Sequence, residues 1–277
     1  MKHILTLAGR EVRDGLRNRW VLATTVLMAA LALTLSFLGS APTGNVGVGP
    51  VEVTIVSLSS LTIFLLPLIA LLLSFDALVG EFERGTMLLL LTYPVSRRQI
   101  IMGKFLGHVT ILTFATVLGY GAAGLALAAG GSGGSSFAAW HPFTAMIGSS
   151  VLLGAAFVAL GYLISAAVGN RGTAAGLAVG VWLAFVLLYD MALLGALVAD
   201  QGRMLTPEVV NLLLLLNPAD AYRLFNLTGF ANVSVFAGMA GLAESLRLPP
   251  ALLLTALAAW IVVPLTLAAM LFQRRQV

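Results

Sequence analysis

Glu81, Glu83, Arg84, Arg97, Arg98 and Lys104 stand close together within residues 78–107, LVGEFERGTMLLLLTYPVSRRQIIMGKFLG, between two long apolar runs. This block holds two acids and four of the fifteen Lys and Arg of a chain that is 60% hydrophobic and 9% charged. Soluble domains carry roughly 25% charged residues, so the concentration is a signal. The chemistry open to these side chains is ion pairing and hydrogen bonding with another protein. No cluster of His, acids or Ser–Lys accompanies them to make or break bonds.

Nucleotide chemistry finds no support in the chain. Residues 80–86 have the glycine spacing of a phosphate-binding loop followed by Thr86, but the Lys that holds phosphate is missing. Residues 119–124, GYGAAG, match a dinucleotide fingerprint, yet they lie inside an apolar run with no strand before them. Those glycines suit close helix packing. A metal path is equally unsupported. His3, His108 and His141 are scattered, there is no cysteine, and the nine methionines form no M-x-x-M cluster. No cofactor is expected, and the chain reads as no enzyme.

The elements that position the polar block follow from hydropathy. Mean hydropathy is +1.02, and several runs exceed the about 18–20 apolar residues needed to cross a bilayer. The expected fold is all-α and polytopic, with six spans at about 20–39, 54–79, 105–129, 143–168, 173–198 and 250–272 in one transmembrane domain. A β-barrel is excluded, because the runs are continuous rather than alternating. With the N-terminus in the cytoplasm, Lys2, Arg10, Arg13, Arg17, Arg19, Arg84, Arg97, Arg98, Lys104, Arg171, Arg274 and Arg275 all fall inside. Only Arg203, Arg223 and Arg247 fall outside. Twelve of fifteen inside orients both termini to the cytoplasm, and the high pI reflects that placement rather than nucleic-acid binding.

Residues 1–18 are too polar to span. Ile4, Ala8, Val12 and Leu16 make one face and Arg10, Arg13 and Arg17 another, which suits an interfacial amphipathic helix against membrane lipid; an ordinary charged tail is the alternative. Gly/Ser-rich residues 130–136 separate the two halves, and the outer loop 199–249 is expected to fold into short amphipathic helices. Pro249 and Pro250 suit the first turn of the last span.

Within the polar block, Glu81 and Glu83 mark a helix start, favoured by its dipole. That helix must finish by Tyr93, ahead of Pro94. Ser96 and Gln99 form a capping box for the next helix, and Val95 and Ile100 a hydrophobic staple around it. Residues 80–104 therefore read as a rigid helix-turn-helix prong whose second helix runs into the third span.

Four further features are open. Gly172, Gly176 and Gly180 share one face of the fifth span, as a dimer seam or as packing within one subunit. Asp190 lies inside that span, as a polar functional site or as a residue near its outer end. Thr54, Ser57, Ser59, Ser60, Thr62 and Ser74 give the second span a polar face, for a translocation path or for helix–helix bonds, with Pro67 as a kink. Asp76, near the inner end, is expected to be wet or paired with an inner Arg.

The block resembles the segment after the second span of ABC-2-type transporter permeases. In that family an acidic pair, Gly-Thr, an apolar run, Pro-[Val/Ile]-Ser-Arg and a downstream Gly-Lys recur in order. Here they are Glu81 and Glu83, Gly85 and Thr86, residues 87–91, Pro94 to Arg97, and Gly103 and Lys104. The resemblance implies a homodimeric membrane subunit in the bacterial inner membrane, driven by two copies of a separate ABC ATPase. The prong would be the coupling helix docked on that ATPase, with Glu81, Glu83, Arg84, Gly85, Thr86, Pro94, Val95, Ser96, Arg97 and Arg98 as its coupling residues. The whole chain, including residues 216–223 (LNPADAYR), is also similar to the branch of the family tied to maturation of the copper enzyme nitrous oxide reductase. That likeness implies a NosF-like ATPase and a NosD-like periplasmic partner at the 199–249 loop. Transport of a small species and mechanical work on the outer partner both remain open, and an ion-coupled secondary transporter using Asp190 is the alternative.

Overall fold

Backbone groups in hydrocarbon have no water to bond, so an apolar run must satisfy them within its own segment, and helices result. The computed structural model describes residues 2–17, 19–38, 50–129, 137–200, 205–227 and 248–275. They form α1 (Lys2–Leu16), α2 (Arg19–Leu38), α3 (Pro50–Ser74), α4 (Val79–Glu83), α5 (Thr86–Leu91), α6 (Arg97–Ala129), α7 (Phe137–Ala167) and α8 (Arg171–Leu183). A π-helical turn (Ala184–Leu188) leads into α9 (Tyr189–Asp200), followed by α10 (Pro207–Leu215), α11 (Pro218–Leu227) and α12 (Pro250–Arg274). No strand occurs among the described residues.

Among the described residues, five stretches are long and apolar enough to cross a membrane: Thr54–Glu83, Arg97–Ala129, Trp140–Ala167, Arg171–Asp200 and Pro250–Arg274. The first of the six expected spans corresponds to α2, where a shorter apolar stretch, Leu22–Thr34, is described. Pro67 sits inside α3 without ending it. Pro249 and Pro250 begin α12, as their missing N–H groups allow. Short helices expected within residues 199–249 are found as α10 and α11. Residues 39–49, 130–136, 201–204 and 228–247 lie outside the described set.

The bundle is built around α7, the most enclosed of these stretches, which packs against α3, α6 and α12. α2 lies along α6, and α11 is wedged among α3, α7 and α12. The glycines of the 119–124 stretch serve packing. A Cβ on Gly119 would stand 3.3 Å from the Ala29 amide of α2, and one on Gly124 would stand 3.0 Å from the Phe143 ring of α7. The helix formed by α8, the π turn and α9 is peripheral, with most of its surface open.

α1, expected to lie at the membrane interface, packs along the first half of α6. Gly103 and Gly107, one turn apart, make the room. A Cβ on Gly103 would stand 2.7 Å from Cβ of Leu7, and one on Gly107 2.5 Å from Cβ of Glu11. The packed face carries Ile4, Leu7, Ala8, Glu11, Val12 and Gly15, whereas Leu16, expected on it, is 48% exposed. The helix is rotated so that Glu11 turns inward, toward a charge on α6.

Gly107→Leu should drive α1 from this seat. A cost of about 1–3 kcal/mol is expected for overpacking, read as a lower unfolding midpoint in detergent and faster proteolysis within residues 2–17. Unchanged stability and cleavage would mean that α1 is not held by this groove.

Candidate functional site at the basic end of the bundle

The polar block folds as two short helices rather than the single one expected between Glu81 and Tyr93. α4 closes at Arg84, and Gly85 adopts φ +69°, a left-handed conformation that glycine takes without a Cβ penalty. α5 then turns the chain back and ends at Leu91. The Val95 amide donates to the Tyr93 carbonyl at 2.7 Å across Pro94, a tight reversal. The expected capping box follows. The Ser96 amide donates to Oε1 of Gln99 at 2.9 Å, and the Gln99 amide to Oγ of Ser96 at 3.3 Å. From there α6 runs unbroken into the bundle.

The base of this elbow is tied to five other elements. Ser165 of α7 accepts from the amides of Leu78 and Val79, at 3.0 Å each, and so satisfies two orphan donors at the start of α4. Lys104 of α6 is buried, and its Nζ lies 2.5 Å from Glu11 of α1 and 2.6 Å from Glu81 of α4. Glu83 accepts the Arg171 amide at 2.8 Å at the start of α8, and the Arg171 guanidinium pairs with Asp76 at 2.6 Å. Arg97 donates to the carbonyls of Phe272, Gln273 and Arg275 at 2.8, 3.1 and 2.6 Å, closing the C-terminal end of α12. Phe82 packs edge-on to Phe272, with the Arg275 guanidinium 4.4 Å from its ring centre.

These contacts change what the acids and Arg97 do. Glu81, expected at a helix start, is turned into the protein toward Lys104, whereas Glu83 stays exposed and accepts the open amide of α8. Arg97 likewise caps α12. Arg84, Gly85, Thr86, Pro94, Ser96 and Arg98 are exposed, and Val95 is half-buried against the core. The most prominent exposed groups of the elbow are ones that sequence reasoning passed over: Leu88 at 58%, Leu89 at 65% and Tyr93 at 67% exposed, above a fully buried Met87. Leucines in an apolar run gave no sign of which would point outward. A polar cleft of about 490 Å³ opens between α1 and the elbow, with Glu11, Glu81, Lys104 and His108 among its lining and Leu89 and Tyr93 at its other side.

The remaining expected residues lie elsewhere. Gly172 meets only Asn170 of its own turn, and nothing stands within 4 Å of a Cβ on Gly176 or Gly180. Packing within one subunit, one of the two readings, therefore does not use this face among the described residues. Asp190 is no isolated acid: Arg223 pairs with it at 2.7 Å and with Asp220 at 2.6 Å. Burial lifts the Asp220 carboxyl above the usual carboxylate range, with Arg223 opposing that shift and the Asp190 charge adding to it.

Residues 5–277 match the family model described as ABC-2 family transporter protein. The chain is 47% identical over 275 residues to the probable ABC transporter permease protein NosY of Stutzerimonas stutzeri, covering 99% of each. It is also 47% identical over 277 residues to the probable ABC transporter permease protein NosY of Pseudomonas aeruginosa, covering 100% of each.

Lys104→Met would leave two buried carboxylates facing each other. A loss of about 3–5 kcal/mol is expected, measured by equilibrium unfolding in detergent, and adding Glu11→Gln and Glu81→Gln should recover much of it. Ser96→Ala with Gln99→Ala should cost about 1 kcal/mol. A Lys104→Met protein as stable as the parent would remove Lys104 as the tie.

Proposed function

The chain belongs to the ABC-2 transporter family, and from that premise we propose that it is the membrane subunit that turns ATPase closure into a change across the bilayer. The observation that carries the proposal is the elbow: exposed Leu88, Leu89, Tyr93 and Pro94 on a base fixed by ion pairs and caps to α1, α6, α7, α8 and α12. A protein that grips this tip pushes on every one of those helices. Rigid presentation is what coupling requires, since a flexible tip would absorb the displacement.

ATP hydrolysis then resides in a separate subunit, NosF-like, in two copies beneath a homodimer in the bacterial inner membrane. Both termini and the elbow are cytoplasmic, six helices span, and α1 rests against lipid as well as α6. The open face of Gly172, Gly176 and Gly180 serves as the seam with the second copy, where small residues allow close approach. Residues 199–249 meet a NosD-like periplasmic partner, and the work serves copper-site maturation of nitrous oxide reductase. The likeness to the two NosY proteins supports this branch-level reading.

The ion-coupled alternative has less support. Asp190 is held by Arg223 at 2.7 Å, so a transported cation would have to compete with that guanidinium for it.

Leu89→Asp with Tyr93→Asp should weaken capture of the ATPase by about tenfold or more, the scale of losing interface anchors. The unfolding midpoint should not move, because both residues are exposed. Co-purification from mild detergent at the parental stoichiometry, with normal ATP turnover, would move the docking surface away from the elbow.

A further inference from the structure

The far end of the bundle holds a buried polar assembly centred on α11. The Tyr222 hydroxyl is 2.9 Å from Oγ of Ser150 on α7. It also faces the Thr62 hydroxyl of α3, itself 2.5 Å from the Tyr120 hydroxyl of α6. All four side chains are fully buried. One turn on, Asn226 donates to Ser149 of α7 at 3.0 Å. The neighbouring residue, Arg223, looks the other way, toward Asp190 of α9 at 2.7 Å. At the start of α11, Nδ2 of Asn217 donates to the Phe185 carbonyl at 2.8 Å, inside the π turn. Such a turn breaks the regular i→i−4 ladder and leaves carbonyls for other donors.

Apolar side chains would fill this space without desolvating an ion pair, and a buried ion pair is weak evidence for stability. What hydrogen bonds and ion pairs add is direction, because each bond fixes one group to one partner. α11 is thereby attached to two bodies, which also meet where the Trp182 indole of α8 donates to the Phe64 carbonyl of α3 at 2.9 Å and where the Phe185 ring of the π turn packs edge-on to Phe157 of α7. Tyr222 and Asn226 hold it to the central helices α3, α6 and α7. Asn217 and Arg223 hold it to the peripheral α8–α9 helix, most of whose surface is open. Any displacement of one body against the other must move α11 or break these bonds. α11 carries α10 with it: the Tyr189 hydroxyl of α9 donates to the Leu213 carbonyl of α10 at 2.6 Å, and Leu214 and Leu224 share one small core.

We infer that α11 is the output lever of this membrane subunit, with Tyr222 and Arg223 as its positioning residues, delivering rearrangement of the bundle to the far-end segment 205–227 and to a protein seated there. This rests on the coupling reading given above and adds where the work emerges. It needs no channel through one protomer.

The chain has no cysteine, so a single Glu208→Cys, exposed at the start of α10, takes one bimane label without other changes. The labelled protein is assembled with its ATPase in nanodiscs, and ATP hydrolysis and bimane emission are read together. The parent should hydrolyse ATP and shift its emission with nucleotide. Tyr222→Phe, which removes one hydroxyl, should hydrolyse ATP but lose the shift, as should Arg223→Met, while Arg223→Lys should regain part of it. If Arg223→Met does not fold, Tyr222→Phe decides. Parental shifts in Tyr222→Phe, or hydrolysis without any shift in the parent, overturn the inference. A parent that binds no ATPase overturns the coupling reading itself, and this inference with it.

Discussion

A buried ammonium between two carboxylates governs the basic end of this protein. Lys104 lies on a helix that continues into the bundle, and its two partners come from α1 and α4. Removing an ammonium from water is costly unless its charge is answered at close range. That requirement draws Glu11 inward, fixes the rotation of α1, and makes Gly103 and Gly107 necessary on α6. It also takes Glu81 out of the solvent. The elbow is thus seated by an electrostatic demand, and Ser165, Glu83 and Arg97 then complete its base with hydrogen bonds to backbone ends.

The far end uses the same device with a different cation. Arg223 lies between Asp190 and Asp220, as Lys104 lies between Glu11 and Glu81. In each case one acid belongs to a peripheral element, α9 or α1, and the cation belongs to a helix packed in the bundle. Between the two ends the core is mostly aliphatic. Such a bundle is directional at its ends and tolerant in its middle, which suits a body that rocks as units rather than opening a fixed path.

Much of the fold was legible in the sequence. Long apolar runs can only be helices in lipid, and Pro94, Ser96 and Gln99 specify a turn and a start by local bonding that needs no tertiary partner. The family resemblance rested on the same block. What the sequence hid was partnership across long separations. Periodicity put Leu16 on the packed face of α1, but Glu11 overrode it by pairing with a residue 93 positions away. Glu81 and Glu83 read as helix starters because a helix start explains an acid without reference to Lys104 or Arg171. Asp190 stood out as an intramembrane charge, and its partner Arg223 was counted as a loop cation. The exposed Leu88 and Leu89 lay in a run of like residues, with no charge to mark the outward face.

Hydrogen–deuterium exchange on the purified chain, alone and with its ATPase bound, tests the central claim most directly. A clamped elbow that receives the ATPase should gain protection over residues 86–98, and residues 2–17 should gain it in parallel through Lys104. Protection confined to other segments, or an elbow that is protected while α1 exchanges as before, would contradict the account.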